Sequence, residues 1–434
     1  MEWWLVGILL LSLVLVFVFI GVPVAVSLGL ASVTFLVLIT GLNGALTVLH
    51  TELYDFWTSW GLLPIPLFIL MGELLFVGGQ AEDIFDMASK WLSRLPGGLA
   101  VTTSGAAAIF STMTGSSLGT TATFSLLAVP QMLRKGYSPR LACGSVCAAG
   151  GLAHLIPPSI IMVVYCTLLD LSIGEMFMAG VGPGIVLASG YILVAVIWAL
   201  RYPESAPTEE KVSWLERILV LRKAWSPLVI IMAVMGTIYT GIATVTEAAA
   251  LGAFTAFLIA LFSGKLTWKA FVHVVAETVK LNCFILFIAV AGKLLSWVLT
   301  YYLIPQSLVK ILISADLDRY MIIVMMMITY IFMGMFIDAI GIIVISMPIM
   351  YPILIALGFS PIWFGILLFI NIEMALITPP LGLNLYIVQG VASEIPLKDI
   401  MLGAFVFAIA DMSILALVII FPEIALWLPN LIYN

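Results

Sequence analysis

T-M-T-G-S-S-L-G-T-T (Thr112 to Thr121) and G-M-F-I-D-A-I-G (Gly334 to Gly341) stand 222 residues apart, and each interrupts a long apolar stretch. The same offset carries Pro130 onto Pro352, Gly136, Ser138 and Pro139 onto Gly358, Ser360 and Pro361, and Pro157–Pro158 onto Pro379–Pro380. With Met113/Met335, Gly119/Gly341 and Ala153/Ala375, the register holds nine identities over the 54 positions from Thr112 to Tyr165, without a gap. Prolines and glycines recurring in register mark an internal duplication, because these residues set backbone shape and do not merely match in hydropathy.

Composition places this duplication in a membrane. Of 434 residues, 63% are hydrophobic and 9% are charged, with a mean hydropathy of +1.23. A soluble domain carries roughly 25% charged residues to solvate its surface. Apolar stretches of spanning length read as crossings near 3–20, 23–41, 61–77, 141–169, 176–200, 226–243, 247–262, 271–299, 361–391 and 400–421. The stretches 99–131 and 319–353 are longer than one crossing and broken by the two quoted motifs. Each reads as a re-entrant hairpin with its tip at mid-membrane, tolerable where protein or a polar cavity surrounds the bare backbone. With the N-terminus outside and both hairpins returning to their own side, thirteen of the seventeen basic residues fall inside, among them Lys135, Lys211, Arg217 and Lys398; that is the expected bias.

The predicted fold is therefore an all-α polytopic membrane protein of two repeats with about five spans each. An odd number inverts the second repeat relative to the first. Residues 1–200 form the first repeat and 226–434 the second, joined by a polar linker over 201–225. Ala81–Leu95 and Val212–Lys223 read as interfacial amphipathic helices bracing the scaffold. The first apolar run has no basic leader or cleavage site and reads as a retained span.

A Pro-Pro pair removes two amide donors and blocks the helical conformation of the residue before it. The spans 141–169 and 361–391 should therefore break near their middles. Freed carbonyls suit sodium, and a half-helix amide end suits a carboxylate. The first sodium site is expected at Gly115, Ser116, Ser117, Gly119, Gly150, Ala153 and Pro158, and the second at Ile337, Asp338, Gly341, Asn371, Thr378 and Pro380. Substrate contacts are assigned to Ser116, Thr120, Pro157, Asp338, Pro379 and Asn384. Sodium is the only metal expected, as a coupling ion, and no cofactor. The bland reading of these residues is that the small side chains permit close helix packing and the prolines kink; four breaks ordered by one repeat argue against it. Among intramembrane charges, Asp338 is the first functional candidate, with Lys293 as a partner for it or for Glu373. Glu73, Glu247, Glu277 and Asp411 are expected to pair or to reach an interface. His154 is expected to hydrogen-bond a freed carbonyl, or else to act as a titratable ligand.

A channel would need a continuous polar pore, whereas each polar cluster here is a short tip. Three histidines and no nucleophile–base or H-E-x-x-H spacing argue against an enzyme. No G-x-x-x-x-G-K-[ST] loop supports an ATP-driven pump.

G-Y-S-P-R (Gly136 to Arg140), A-A-G-G (Ala148 to Gly151), L-I-P-P-S-I (Leu155 to Ile160), T-E-A-A-A (Thr246 to Ala250), G-M-F-I-D (Gly334 to Asp338) and L-I-T-P-P-L-G-L-N-L (Leu376 to Leu385) also carry a likeness. The chain resembles, over nearly its whole length, the large membrane subunit of TRAP (tripartite ATP-independent periplasmic) transporters. The resemblance implies an elevator-type carrier of the ion-transporter superfamily in a bacterial inner membrane, N-terminus periplasmic. It further implies a sodium gradient as driving force, a small membrane subunit as partner, and a periplasmic binding protein that delivers an organic acid such as a dicarboxylate or sialic acid. Membrane lipid is the remaining partner, and no nucleic acid is expected. Ala153 and Ala375 stand where the family more often has glycine, Val245 replaces a common proline, and His154 occupies a usually apolar position. A stand-alone sodium/dicarboxylate-type symporter of the same superfamily is the alternative.

Overall fold

The computed structural model describes every residue except 1, 208–211, 316, 381 and 434. Lys211, counted above among the inward basic residues, and Leu381 of the second break lie outside the described set. Among the described residues the chain is helix and loop only. It begins with α1 (Trp3–Phe19), α2 (Val24–Trp57), α3 (Pro64–Val77), α4 (Gln80–Leu92), α5 (Gly98–Thr114), α6 (Ser117–Arg134), α7 (Pro139–Leu155), α8 (Ile160–Leu169) and α9 (Ile173–Arg201). The linker leads to α10 (Trp214–Val220) and α11 (Trp225–Ile231), then through a π turn at Met232–Gly236 into α12 (Thr237–Tyr239). There follow α13 (Val245–Phe262), α14 (Trp268–Tyr301), α15 (Ile304–Ser314), α16 (Arg319–Gly334), α17 (Ala339–Ala356), α18 (Pro361–Leu376), α19 (Leu383–Val391), α20 (Leu397–Ile420) and α21 (Glu423–Tyr433). Nine helical stretches among the described residues are long and apolar enough to cross a bilayer.

The duplicated residues do duplicated local work. Ser138 and Ser360 each cap a helix whose first residue is proline, accepting the Leu141 amide at 3.3 Å and the Trp363 amide at 3.4 Å. A serine N-cap followed by proline at N1 is a strong start signal, since the proline gives up an amide that would be orphaned anyway. Gly136 and Gly358, two residues upstream, both hold positive φ (+83° and +74°) and end the preceding helix. Ser116 and Asp338 are likewise equivalent, and both cap the outgoing hairpin helix through the amides of Gly119 (3.3 Å) and Gly341 (3.2 Å).

Helices α7 and α18 form the centre. Residues Leu141–Leu155 and Ile362–Leu376 are buried throughout, as expected of helices apolar on every side. Around α7 pack α5, α6, α9, α18 and α20. Gly144 lies directly against the Gly403 backbone, so neither position has room for a side chain. Tyr165 on α8 donates to the Pro361 carbonyl at 2.8 Å, and Trp363 Nε1 donates to the Val418 carbonyl at 3.0 Å. On the periphery, Leu11, Phe19, Leu193, Phe254, Phe287 and Phe405 are exposed, a surface that lipid covers and water does not.

Four elements depart from the sequence reading. Helix α2 continues beyond Gly41, which bends it with φ +70°, so 42–57 is a further helix where the expected crossing stopped. Short helices α15 and α21 fill stretches to which no element was assigned. The bracing helix α10 is shorter than Val212–Lys223; it starts at a capping box formed by Ser213 and Glu216. The other bracing helix buries Ala81, Ile84, Phe85 and Ala88, the spacing of one helical face. It is tied to the linker by Lys223 with Asp83 and Asp86 (2.9 and 3.0 Å) and by Trp91 Nε1 to the Arg217 carbonyl (3.1 Å).

Candidate ion and substrate site

At the first tip, α5 ends at Thr114, Gly115 turns the chain with φ +60°, and α6 starts at Ser117. Thr114 and Thr120 hydroxyls meet at 3.1 Å and close the hairpin. The break between α7 and α8 spans 156–159 and includes a cis Pro157–Pro158 bond. Tip and break touch. The Ile160 amide donates to the Gly115 carbonyl at 3.3 Å, and a methyl group on Gly115 would stand 2.6 Å from the Pro158 carbonyl oxygen. Deeper in, Gly150 packs against Thr121 so closely that a side chain there would overlap the hydroxyl. Thr121 Oγ1 and Ser159 Oγ are buried without a hydrogen-bond partner. Such orphaned oxygens are rare, and two at one junction leave oxygen ligands free for a cation.

Of the first predicted group, Gly115 and Pro158 meet where tip and break touch and Gly150 packs on Thr121 of the outgoing hairpin helix; Ser116, Ser117 and Gly119 lie on the same tip, and Ala153 is buried in α7. Ser116 is engaged in capping. Asn384, assigned to substrate, joins this junction from the other half of the chain. Its Nδ2 donates to Ser117 Oγ at 3.3 Å and to the Cys147 carbonyl at 3.1 Å. The first tip, the first broken span and the helix after the second break therefore meet through one amide.

The second group is less gathered. Asp338 caps α17 and Ile337 lies beside Gly341, while Gly334 packs tightly on Ala375 of α18. Asn371 donates to the Met327 carbonyl at 2.9 Å, on the shank of α16 and not at the tip; its Oδ1 is buried and unpartnered. Thr378 turns its hydroxyl back onto the Met374 carbonyl at 2.6 Å, the usual recourse of a threonine at a helix end. Pro380 is exposed, and its carbonyl accepts from Tyr386 at 2.9 Å. Among the described residues no hydrogen bond ties Thr378, Pro379 or Pro380 to the second tip.

A cavity of about 190 Å³ opens between α3 and the first hairpin, lined by Gly72, Glu73, Thr114, Ser116, Gly119, Thr123 and Ile160. Glu73 and Ser159 were absent from the predicted site. Their signals were the single charge of the third span and the hydroxyl directly after the Pro-Pro pair.

The neighbours of the intramembrane charges are not legible in the sequence. Glu373 is fully buried against Gly151, 3.6 Å from His154 Nδ1. That nitrogen has no hydrogen-bond partner. Among the described residues no ion pair joins Lys293 to Asp338 or Glu373; Lys293 sits on α14, which lies along α2. Asp411 accepts from Tyr191 at 2.5 Å. Glu277 pairs with Lys280 at 2.6 Å, and Glu247 caps α13 at Thr244.

Nine apolar helical stretches with a hairpin tip seated on a proline-broken helix define an integral membrane protein of transporter architecture. The description "Tripartite ATP-independent periplasmic transporter, DctM component" matches residues 11–424. The chain belongs to that family and is a TRAP-type large permease. It is 35% identical over 401 residues to the C4-dicarboxylate TRAP transporter large permease DctM of Pseudomonas aeruginosa, covering 90% of this chain and 93% of that one. With the sialic acid TRAP transporter large permease SiaM of Vibrio cholerae it shares 28% identity over 403 residues, 92% and 93% of the two chains. The YdaH transporter of Alcanivorax borkumensis superposes with a TM-score of 0.64 over 95% of this chain and 98% of that one. At 13% identity that likeness concerns the fold alone.

Proposed function

We propose that this permease carries a small organic acid into a bacterial cell through the inner membrane, driven by sodium and supplied by a periplasmic binding protein, with a small membrane subunit as its partner. The observation that carries the reading is the contact of the first tip with the first break at Gly115 and Pro158, with the unpartnered oxygens of Thr121 and Ser159 on those elements and the Asn384 amide of the other half bonded to the same tip. Carbonyl and hydroxyl oxygens hold a monovalent cation without a full charge on each ligand. A bound cation beside half-helix amide ends then favours a carboxylate. Inverted repeats moving as an elevator supply alternating access in this reading. The basic-residue bias sets the N-terminus and the second hairpin outside, and the linker inside. A carboxylate cargo agrees with the names of the relatives, and a dicarboxylate with the one at 35% identity.

The test is uptake into proteoliposomes holding the permease and its small subunit, with binding protein and labelled dicarboxylate outside. Uptake should require an inward sodium gradient. Full activity on a proton gradient in sodium-free buffer would remove sodium from the mechanism. Accumulation of free substrate without binding protein would favour the stand-alone symporter instead.

A further inference from the structure

Where the linker folds back onto α4, two cations stand without an ion-pair partner among the described residues. Arg217 of α10 is 5% exposed, and its Nε and Nη2 have no hydrogen-bond partner. Its guanidinium lies 5.2 Å from the Trp214 ring centre, and Arg94, just after α4, lies 5.7 Å from the same ring. Arg94 donates through Nη2 to a neutral acceptor, the Val212 carbonyl, at 3.1 Å. Four carboxylates near them are engaged elsewhere: Asp83 and Asp86 on Lys223, Glu82 on Lys265 at 3.0 Å, and Glu216 on the Ser213 amide at 3.3 Å; Glu204, beside the cavity wall, is exposed to solvent. Among the described residues no ion pair balances Arg94 or Arg217.

Arg94 faces a cavity of about 1020 Å³, between the 93–97 loop and the end of α9; Arg217 lies behind it, on the other contact of the shared Trp214 ring. Arg94 and Ser93 line the cavity, with Pro96, Leu200 and Pro203 among its apolar walls. Ser93 is 6% exposed and its hydroxyl has no partner. A guanidinium whose donors stay unmet in a poorly solvated place is costly, and a phosphate with several acceptor oxygens is its natural complement. The apolar walls suit a phosphodiester that carries a glycerol and acyl chains more than a free hydrated phosphate. The corner also lies at the ends of apolar helices, with exposed Trp214 and Trp91, at the level where aromatic residues and lipid headgroups meet.

We propose that Ser93, Arg94 and Arg217 form a binding site for the phosphate of an anionic phospholipid. The inference goes beyond the transport reading and is measured without transport. Native mass spectrometry of the full-length chain, titrated separately with phosphatidylglycerol and phosphatidylcholine, should show one phosphatidylglycerol adduct that persists where phosphatidylcholine dissociates. R94Q and R217Q should each weaken it about fivefold, the effect of one basic residue near an anionic lipid surface, while R94K retains most of the binding. Arg94 is exposed, so R94Q carries the test even if R217Q fails to fold. Equal binding of the two lipids, or an undiminished adduct in R94Q, overturns the proposal. Displacement by inorganic phosphate would make a soluble anion the occupant, and displacement by the small membrane subunit would make the corner a protein contact; either result overturns the lipid assignment.

Discussion

Replacing Gly115 by alanine tests the first junction directly. The added methyl would lie 2.6 Å from the Pro158 carbonyl oxygen and 3.4 Å from Ser159 Cα and the Ile160 amide nitrogen. Ordinary contact begins near 3.4 Å, so tip and break must part by about 0.8 Å. The Ile160-to-Gly115 hydrogen bond, 3.3 Å long, would then pass beyond bonding reach. Losing it costs about 1 kcal/mol, and holding alanine in the left-handed region costs about 1–2 kcal/mol more. If the junction binds sodium only when closed, a loss of about 2 kcal/mol raises the half-saturating sodium concentration at least about tenfold. Gly358→Ala separates the two contributions. Gly358 also has positive φ (+74°), but nothing stands within 4 Å of an added methyl, so that variant loses stability alone. The assay is sodium-dependent uptake by the reconstituted transporter, with apparent melting temperature measured in parallel. The reasoning fails if G115A takes up substrate with wild-type sodium dependence, or if G358A shifts sodium dependence equally.

Asn384→Ala removes the amide that joins Ser117 to Cys147 and should lower uptake by about five- to a hundredfold, the weight of one to two buried hydrogen bonds; binding-protein docking, followed by surface plasmon resonance, should not change. Gly151→Ala drives a methyl into the buried Glu373 carboxylate and should destabilise the protein by about 1–3 kcal/mol. Adding Glu373→Ala should restore part of that in thermal unfolding, and a double variant no more stable than G151A would show that the two side chains do not compete for one space. Cysteines at Leu95 and Lys135 should react with an impermeant reagent from one side of the membrane and a cysteine at Ser360 from the other. Labelling of Leu95 and Lys135 from opposite sides would mean that the first hairpin crosses the bilayer, against the re-entrant reading.

Local geometry was legible in the sequence wherever one residue's covalent structure dictates it. Pro157 and Pro158 cannot continue a helix, and α7 stops at Leu155. Ser138–Pro139 and Ser360–Pro361 begin helices, Gly136 and Gly358 end them, and the 222-residue register places equivalent caps at Ser116 and Asp338. What lay beyond reach was which side chains face each other across helices. The apolar run through Gly41 conceals a bend that a glycine permits but does not require. Thr378 and Asn371 have the right chemistry for an ion, yet neighbours along α18 and α16 claim their hydrogen bonds.

The sequence by itself therefore determined the membrane setting, the helix count to within a few short elements, the two breaks and the two tips, because hydropathy, proline, glycine and capping act within a turn or two of the chain. The tertiary structure alone decided that Asn384 closes onto Ser117, that Gly151 makes room for Glu373 beside His154, and that Arg94 and Arg217 share one tryptophan. These contacts join residues up to 267 positions apart. They follow from how close two helix axes come, and small residues at the crossings set that distance only once both helices are in place.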